Sequence, residues 1–109
     1  MQPIIIKLNG ENRIMHKIYV ISYDLKRPGQ DYDTLYEAIK GLGEWQHPLE
    51  STWLVYSSMS ADEISSTLRA EGRMDENDLL FVCQLEPKNR QGWLARTVWD
   101  WIKSKDSSL

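Results

Sequence analysis

Apolar positions along this chain alternate in two places, run almost unbroken in a third and recur at helical spacing in three others. Residues 17–25, Lys-Ile-Tyr-Val-Ile-Ser-Tyr-Asp-Leu, are dense in β-branched and aromatic types, the composition of a strand. Alternation puts Ile18, Val20, Ser22 and Asp24 on one face and Tyr19, Ile21, Tyr23 and Leu25 on the other. Both faces are largely apolar, which predicts a central strand covered on both sides. Arg27-Pro28-Gly29 breaks the pattern. Tyr32, Leu35, Tyr36, Ile39 and Leu42 then fall on one helical stripe, which predicts a helix over 31–42 with Asp31 as N-cap and Gly43 as its stop. Residues 44–49 contain Pro48, which allows only an edge strand or an irregular one. Residues 51–57 alternate again, Thr52, Leu54 and Tyr56 against Trp53, Val55 and Ser57, and complete a hairpin.

Ser60-Ala61-Asp62-Glu63 fits a capping box, in which hydroxyl and carboxylate satisfy each other's backbone N–H. It opens a helix expected to reach about Glu71, with Ala61, Ile64 and Leu68 inward and Gly72 at its end. Asp75 to Asp78 is a turn. Leu79 to Leu85 is nearly all apolar and predicts a buried strand. After a polar loop, a helix is expected over 91–103 with Trp93, Leu94, Val98, Trp101 and Ile102 as its apolar stripe. Trp99 falls partly off that stripe, toward a partner, and Lys105 to Leu109 is a frayed tail. The order strand, helix, strand, strand, helix, strand makes two split βαβ units. It predicts an α+β, ferredoxin-like βαββαβ plait with an extra C-terminal helix. Residues 17–86 form this domain and 87–109 the terminal loop and helix. The sheet face without the first two helices needs cover, from the tryptophan-bearing helix or from a second subunit.

Residues 1–16 admit two readings. Apolar residues flank Asn9-Gly10, the dipeptide of a tight hairpin turn, so this is a hairpin arm. Alternatively Met15 is the natural start and the residues before it are an extension, since Asn-Gly-Glu can be encoded by a purine-rich run like a ribosome-binding site.

With 109 residues the chain is one domain's worth, and 41% hydrophobic against 27% charged residues is ordinary for a globular protein. Thirteen Lys and Arg stand against sixteen Asp and Glu, which argues against gripping nucleic acid by bulk charge and leaves room for a local basic patch. The one cysteine, Cys83, lies in an apolar run and reads as a buried thiol. No Cys/His spacing suggests zinc, no apolar run is long enough to span a bilayer, and the start lacks the layout of a signal peptide. A cytoplasmic protein that does not engage membranes is expected.

Several side chains carry candidate chemistry. His47, near Trp45, is a possible general base, because its pKa lies near neutrality; a hydrogen-bonding role in the hairpin competes. Ser51 and Thr52 sit where backbone groups need partners, with no triad in view. Arg69 and Arg73 lie near the end of the second helix, where cations favour the negative end of the dipole; contact with phosphate is the other reading. Lys88-Asn89-Arg90 is a small basic loop. Trp93, Trp99 and Trp101 can stack bases or pack against the sheet or a second subunit.

The run Tyr19-Val20-Ile21-Ser22-Tyr23-Asp24-Leu25 resembles the first strand of CRISPR-associated protein 2 and its relatives. The chain is closer to the bacterial proteins labelled SinR-like (VapD-related), at Ser22-Tyr23-Asp24-Leu25, Tyr32 to Leu35, Trp45 with His47, Ser51-Thr52-Trp53 and Asp78. The resemblance covers about residues 17–86. It implies a ferredoxin-like homodimer packed through its sheets. It also implies that Asp24 matches the aspartate proposed to bind metal in a phosphodiesterase. Two copies of Asp24 at a dimer axis would hold one Mg²⁺ or Mn²⁺, whose hard-oxygen preference and water activation suit that chemistry. Lys26 and Arg27 follow as basic neighbours, and no organic cofactor is expected. The CRISPR subunit continues into a fifth strand that docks on its partner; here Glu86-Pro87 interrupts and a helix follows, a departure that speaks against spacer integration. Two functions stay open. One is a dimeric, nucleic-acid-related binding module without chemistry. The other is a metal-dependent endonuclease of toxin or defence type.

Overall fold

A computed structural model describes residues 5–8, 11–27, 32–70 and 73–106. In chain order the elements are β1 (Ile5–Leu8), β2 (Glu11–Ile14), β3 (Lys17–Asp24), α1 (Asp33–Lys40), β4 (Glu44–Leu49), β5 (Thr52–Ser57), α2 (Ala61–Leu68), β6 (Leu79–Gln84) and α3 (Arg96–Asp106). The main sheet has the order β4-β5-β3-β6, and every neighbouring pair is antiparallel. The architecture is α+β, a four-stranded antiparallel sheet with three helices, compatible with a ferredoxin-like fold. β1 and β2 form a separate two-stranded antiparallel sheet with Leu8 opposite Glu11. The Asn9-Gly10 turn itself lies outside the described residues.

The alternation in β3 sorts its side chains as the sequence predicts, and β3 is central. Tyr19 and Ile21 join Trp53 and Val55 of β5 in a core closed by Leu35 and Ile39 of α1 and Ile64 and Leu68 of α2. On the opposite face, Ile18 and Leu54 pack against Val98 and Ile102 of α3. The C-terminal helix thus supplies cover for this second face, over the end of β3 that carries Ile18.

Several boundaries differ from the sequence pattern. α1 is shorter than 31–42. Its N-cap residue is Tyr32, without a side-chain capping bond, and Gly41 is its C-cap; Asp31, the expected cap, lies outside the described residues. Leu42 is past the helix end but still packs on the core. α2 opens with both bonds of the capping box, Glu63 N–H to Ser60 Oγ and Ser60 N–H to Glu63 Oε1, each 3.1 Å. It ends at Leu68 with Arg69 as C-cap, short of Glu71. β4 is an edge strand whose register slips between Gln46 and Leu49, where Pro48 has no N–H to donate.

β6 departs most from expectation. Its apolar run predicts burial, yet it is the other edge strand, and Leu79 and Phe81 are 58% and 64% exposed. Cys83 is a free, half-buried thiol rather than a fully buried one. α3 begins five residues later than the stripe suggests, so Trp93 stands in the preceding loop, fully exposed, rather than on the packed face. The stripe is right at Val98 and Ile102, both buried. The helix also runs into the segment expected to fray, where Lys105 Nζ reaches Glu44 Oε1 at 2.7 Å and lies over the Tyr56 ring. No helix among the described residues is long and apolar enough to cross a membrane.

Candidate functional site

Asp24 ends β3 on the face that α3 covers only in part. Pairing sets Asp24 beside Leu79 and Ser22 beside Phe81, so two exposed apolar side chains flank the carboxylate. Ser22, Tyr23, Asp24, Leu79, Leu80 and Phe81 line a shallow depression of about 240 Å³. Ser22 Oγ lies 3.2 Å from Thr52 Oγ1, so one hydroxyl donates to the other. Asp24 Oδ2 accepts from Lys26 Nζ at 2.6 Å, and both side chains are well exposed. An exposed pair of this kind contributes less than about 1 kcal/mol.

Mg²⁺ is held by several oxygens, commonly one or two carboxylates with waters and phosphate oxygens. Among the described residues no three His, Cys, Asp or Glu side chains come together as a metal site, and the Asp24 carboxylate is engaged by a lysine. The described residues of a single chain do not bring together a donor set that fits the ion.

His47 is not brought to Asp24. It stacks on Trp53, with ring centroids 3.8 Å apart and planes 11° apart, on the opposite face of the sheet. Its Nε2 donates to the Glu50 carbonyl at 3.1 Å. Trp53 in turn donates from Nε1 to the Tyr23 hydroxyl at 3.0 Å, and Trp45 and Tyr36 pack beside it. Burial raises the Tyr23 pKa above its usual value, partly offset by the Trp53 bond. This aromatic group fastens the edge strand β4 to the core and holds the His47 ring in place.

The cations are likewise spread over separate tasks. Arg27 Nε pairs with Asp75 Oδ2 at 3.3 Å. Arg69 Nη1 donates to the carbonyls of Asp75 and Asp78 at 3.2 and 3.1 Å. Arg73 Nη1 donates to the Thr67 carbonyl in the last turn of α2, the helix-terminus role that its position suggests.

Asp78 is the buried polar centre of this end of the molecule, and the sequence presents it only as a turn residue ahead of a strand. Its Oδ1 accepts from the Lys26 backbone N–H at 2.7 Å and from the Tyr32 hydroxyl at 3.1 Å, and its Oδ2 from the Asp75 N–H at 2.8 Å. Burial alone would raise its pKa. The Lys26 and Asp75 N–H groups, the Tyr32 hydroxyl and the Arg69 charge outweigh that and hold it below the usual carboxylate range. Burial and the bond to Asp78 push the Tyr32 hydroxyl the other way, upward. The exposure of Leu79 and Phe81 is a second feature that the apolar run of β6 does not announce. Their period-two spacing within β6 is visible in the sequence, but the register that sets them beside Asp24 and Ser22, and the reach of α3 over that face, are not. Compared with known proteins, the chain matches no family model, no curated protein and no solved structure.

Proposed function

We propose that the chain is a ferredoxin-like plait of the CRISPR-associated protein 2-like kind, a binding module that pairs with a second copy and serves a nucleic-acid-related role without hydrolysing its ligand. The observation that carries this reading is the strip of Leu79 and Phe81, exposed beside Ser22 and Asp24 on the part of the sheet that α3 leaves open. A second copy laid on that strip removes both side chains from water. The endonuclease alternative is less well supported, because Asp24 is held by Lys26 and His47 is committed to Trp53 on the other face.

Light scattering on the purified full chain tests the pairing. The mass expected at micromolar concentration is twice 12.8 kDa. Phe81 is 64% exposed, so covering it withdraws about 130 Å² of its surface, equivalent to about 3 kcal/mol per copy. Phe81→Ser therefore weakens pairing at least ~100-fold, even at half that gain, and shifts the mass to that of one chain. A wild-type monomer throughout the micromolar range refutes the proposal, as does a Phe81→Ser variant of undiminished dimer mass.

A further inference from the structure

The loop between β6 and α3 folds against the flank of α3 and encloses a cleft of about 430 Å³, lined by Pro87, Lys88, Arg90, Gln91, Trp99 and Lys103. Trp99 and Lys103 stand four residues apart and so share one side of the helix. That side is held in place because the neighbouring one, with Val98 and Ile102, is buried against Ile18 and Leu54. Trp99 itself packs at the margin of this cluster, which limits the freedom of its indole. The loop wall is braced on Glu86: its Oε1 accepts from the Lys88 N–H at 3.3 Å and its carbonyl from Arg90 Nη1 at 3.4 Å. Gln91 borders both the cleft and an adjoining recess formed with Gly92 and Trp93. Trp93 is 100% exposed.

Charge and aromaticity here run against the rest of the molecule. Acidic residues outnumber basic ones, sixteen to thirteen, yet Lys88, Arg90 and Lys103 converge on one cleft. Neither Lys88 nor Lys103 has an acidic partner among the described residues. Gathering like charges raises their energy unless an anion joins them. A bare indole costs hydration until something flat covers it. An acidic peptide would answer the charges and leave the indoles unused. A strand of nucleotides answers both, through phosphates and the faces of unpaired bases; in a duplex those faces are already stacked.

We propose that this cleft binds single-stranded nucleic acid, with phosphates at Lys88, Arg90 and Lys103 and bases stacked on Trp99 and Trp93. The inference rests on the nucleic-acid-related reading above and gives it a location. Leu85 N–H bonds to the Ile18 carbonyl, so the loop leaves from the start of β3, whereas Asp24 ends that strand.

Fluorescence anisotropy with labelled oligo-uridine, oligo-deoxythymidine and a duplex of the same length tests it on the full chain. Single strands bind more tightly than the duplex. With three phosphate contacts at about 0.7 each, the affinity falls with salt at a log–log slope near −2. The double variant Lys88→Glu, Lys103→Glu binds at least about tenfold more weakly, with a slope near −0.7. Trp93→Ala touches no core contact; it weakens binding about fivefold or more and leaves the slope unchanged. Circular dichroism verifies that the variants are folded. If the wild type binds single strands and these variants bind equally well with the same slope, the cleft is not the site, while the nucleic-acid reading survives. If the wild type binds no strand at low salt, both fall.

Discussion

Replacing Asp78 by asparagine tests whether one buried carboxylate holds this end of the molecule together. Asp78 is 4% exposed and joins three segments: the chain leaving β3 at Lys26, the N-terminus of α1 at Tyr32, and the turn at Asp75. Asparagine preserves the shape but turns one acceptor oxygen into a donor. If its oxygen stays with Lys26 and Tyr32, its NH2 faces the Asp75 N–H, donor against donor. The variant loses a charge-assisted bond and leaves a buried donor unmatched, each worth about 1.5–3 kcal/mol, and the two overlap. The net cost is about 2–4 kcal/mol. A chain of 109 residues unfolds with an entropy near 0.23 kcal/mol/K, so the thermal midpoint drops by roughly 9–17 °C. Urea denaturation followed by tryptophan fluorescence should show a lower midpoint at unchanged slope. The pH dependence has a definite sign. Because the folded pKa of Asp78 is held below the ordinary value, its contribution is complete above the unfolded value of about 3.9. It is lost as pH falls through the folded one. The gap between wild type and Asp78→Asn is therefore flat from about pH 5 to 7 and narrows in acid. A variant within about 0.5 kcal/mol of wild type, or a gap indifferent to acid, would sink the reasoning.

Two further substitutions probe the frame and the chemistry. Gly43 has φ +155°, and a Cβ there would run into the Tyr56 backbone carbonyl, where β4 begins to pair. Gly43→Ala should cost at least about 2 kcal/mol, seen as a lower urea midpoint; an alanine variant as stable as wild type would show that the strand entry is not so constrained. Asp24→Ala removes only an exposed ion pair, so stability should change by less than about 1 kcal/mol. Labelled RNA and DNA should stay intact with wild type and variant alike, with Mg²⁺, Mn²⁺ or chelator. Metal-dependent cleavage that vanishes in the variant would overturn the non-catalytic reading.

The strands at residues 17–25 and 51–57 are legible because β-branched density and strict alternation agree there, and both faces of each find partners. The capping box at Ser60 is legible because its two bonds are local, between residues three apart. Local signals fail where distant packing decides. The apolar run of β6 reads as buried, yet whether Leu79 and Phe81 meet a helix depends on how far α3 extends, which no pattern inside β6 records. Trp93 fits the helical stripe by spacing, but α3 opens only at Arg96 and leaves it in solvent. For the candidate site, Asp24 stands out by type and position, whereas its pairing with Lys26 depends on the turn after the strand. Asp78 is hidden for the same reason: its donors lie 52 and 46 residues away in Lys26 and Tyr32, and a carboxylate in a turn is ordinary until those donors are located.

Length explains why the open strip exists and why the two proposed interfaces are compatible. α3 has 11 residues and rises about 16 Å, while β3 has 8 residues and extends about 26 Å. Even aligned with the strand, such a helix cannot cover it from end to end. It covers Ile18 and stops short of Asp24, leaving Leu79 and Phe81 exposed beside it. The basic cleft belongs to the covered end, since its walls are α3 and the loop that leaves beside Ile18. Two copies joined through the open strip keep both clefts clear of the contact. A strand long enough to reach from one to the other would then bind the pair more tightly than either chain alone, because the second engagement is intramolecular. Breaking the pair at Phe81 should therefore weaken the binding of long strands and spare that of short ones.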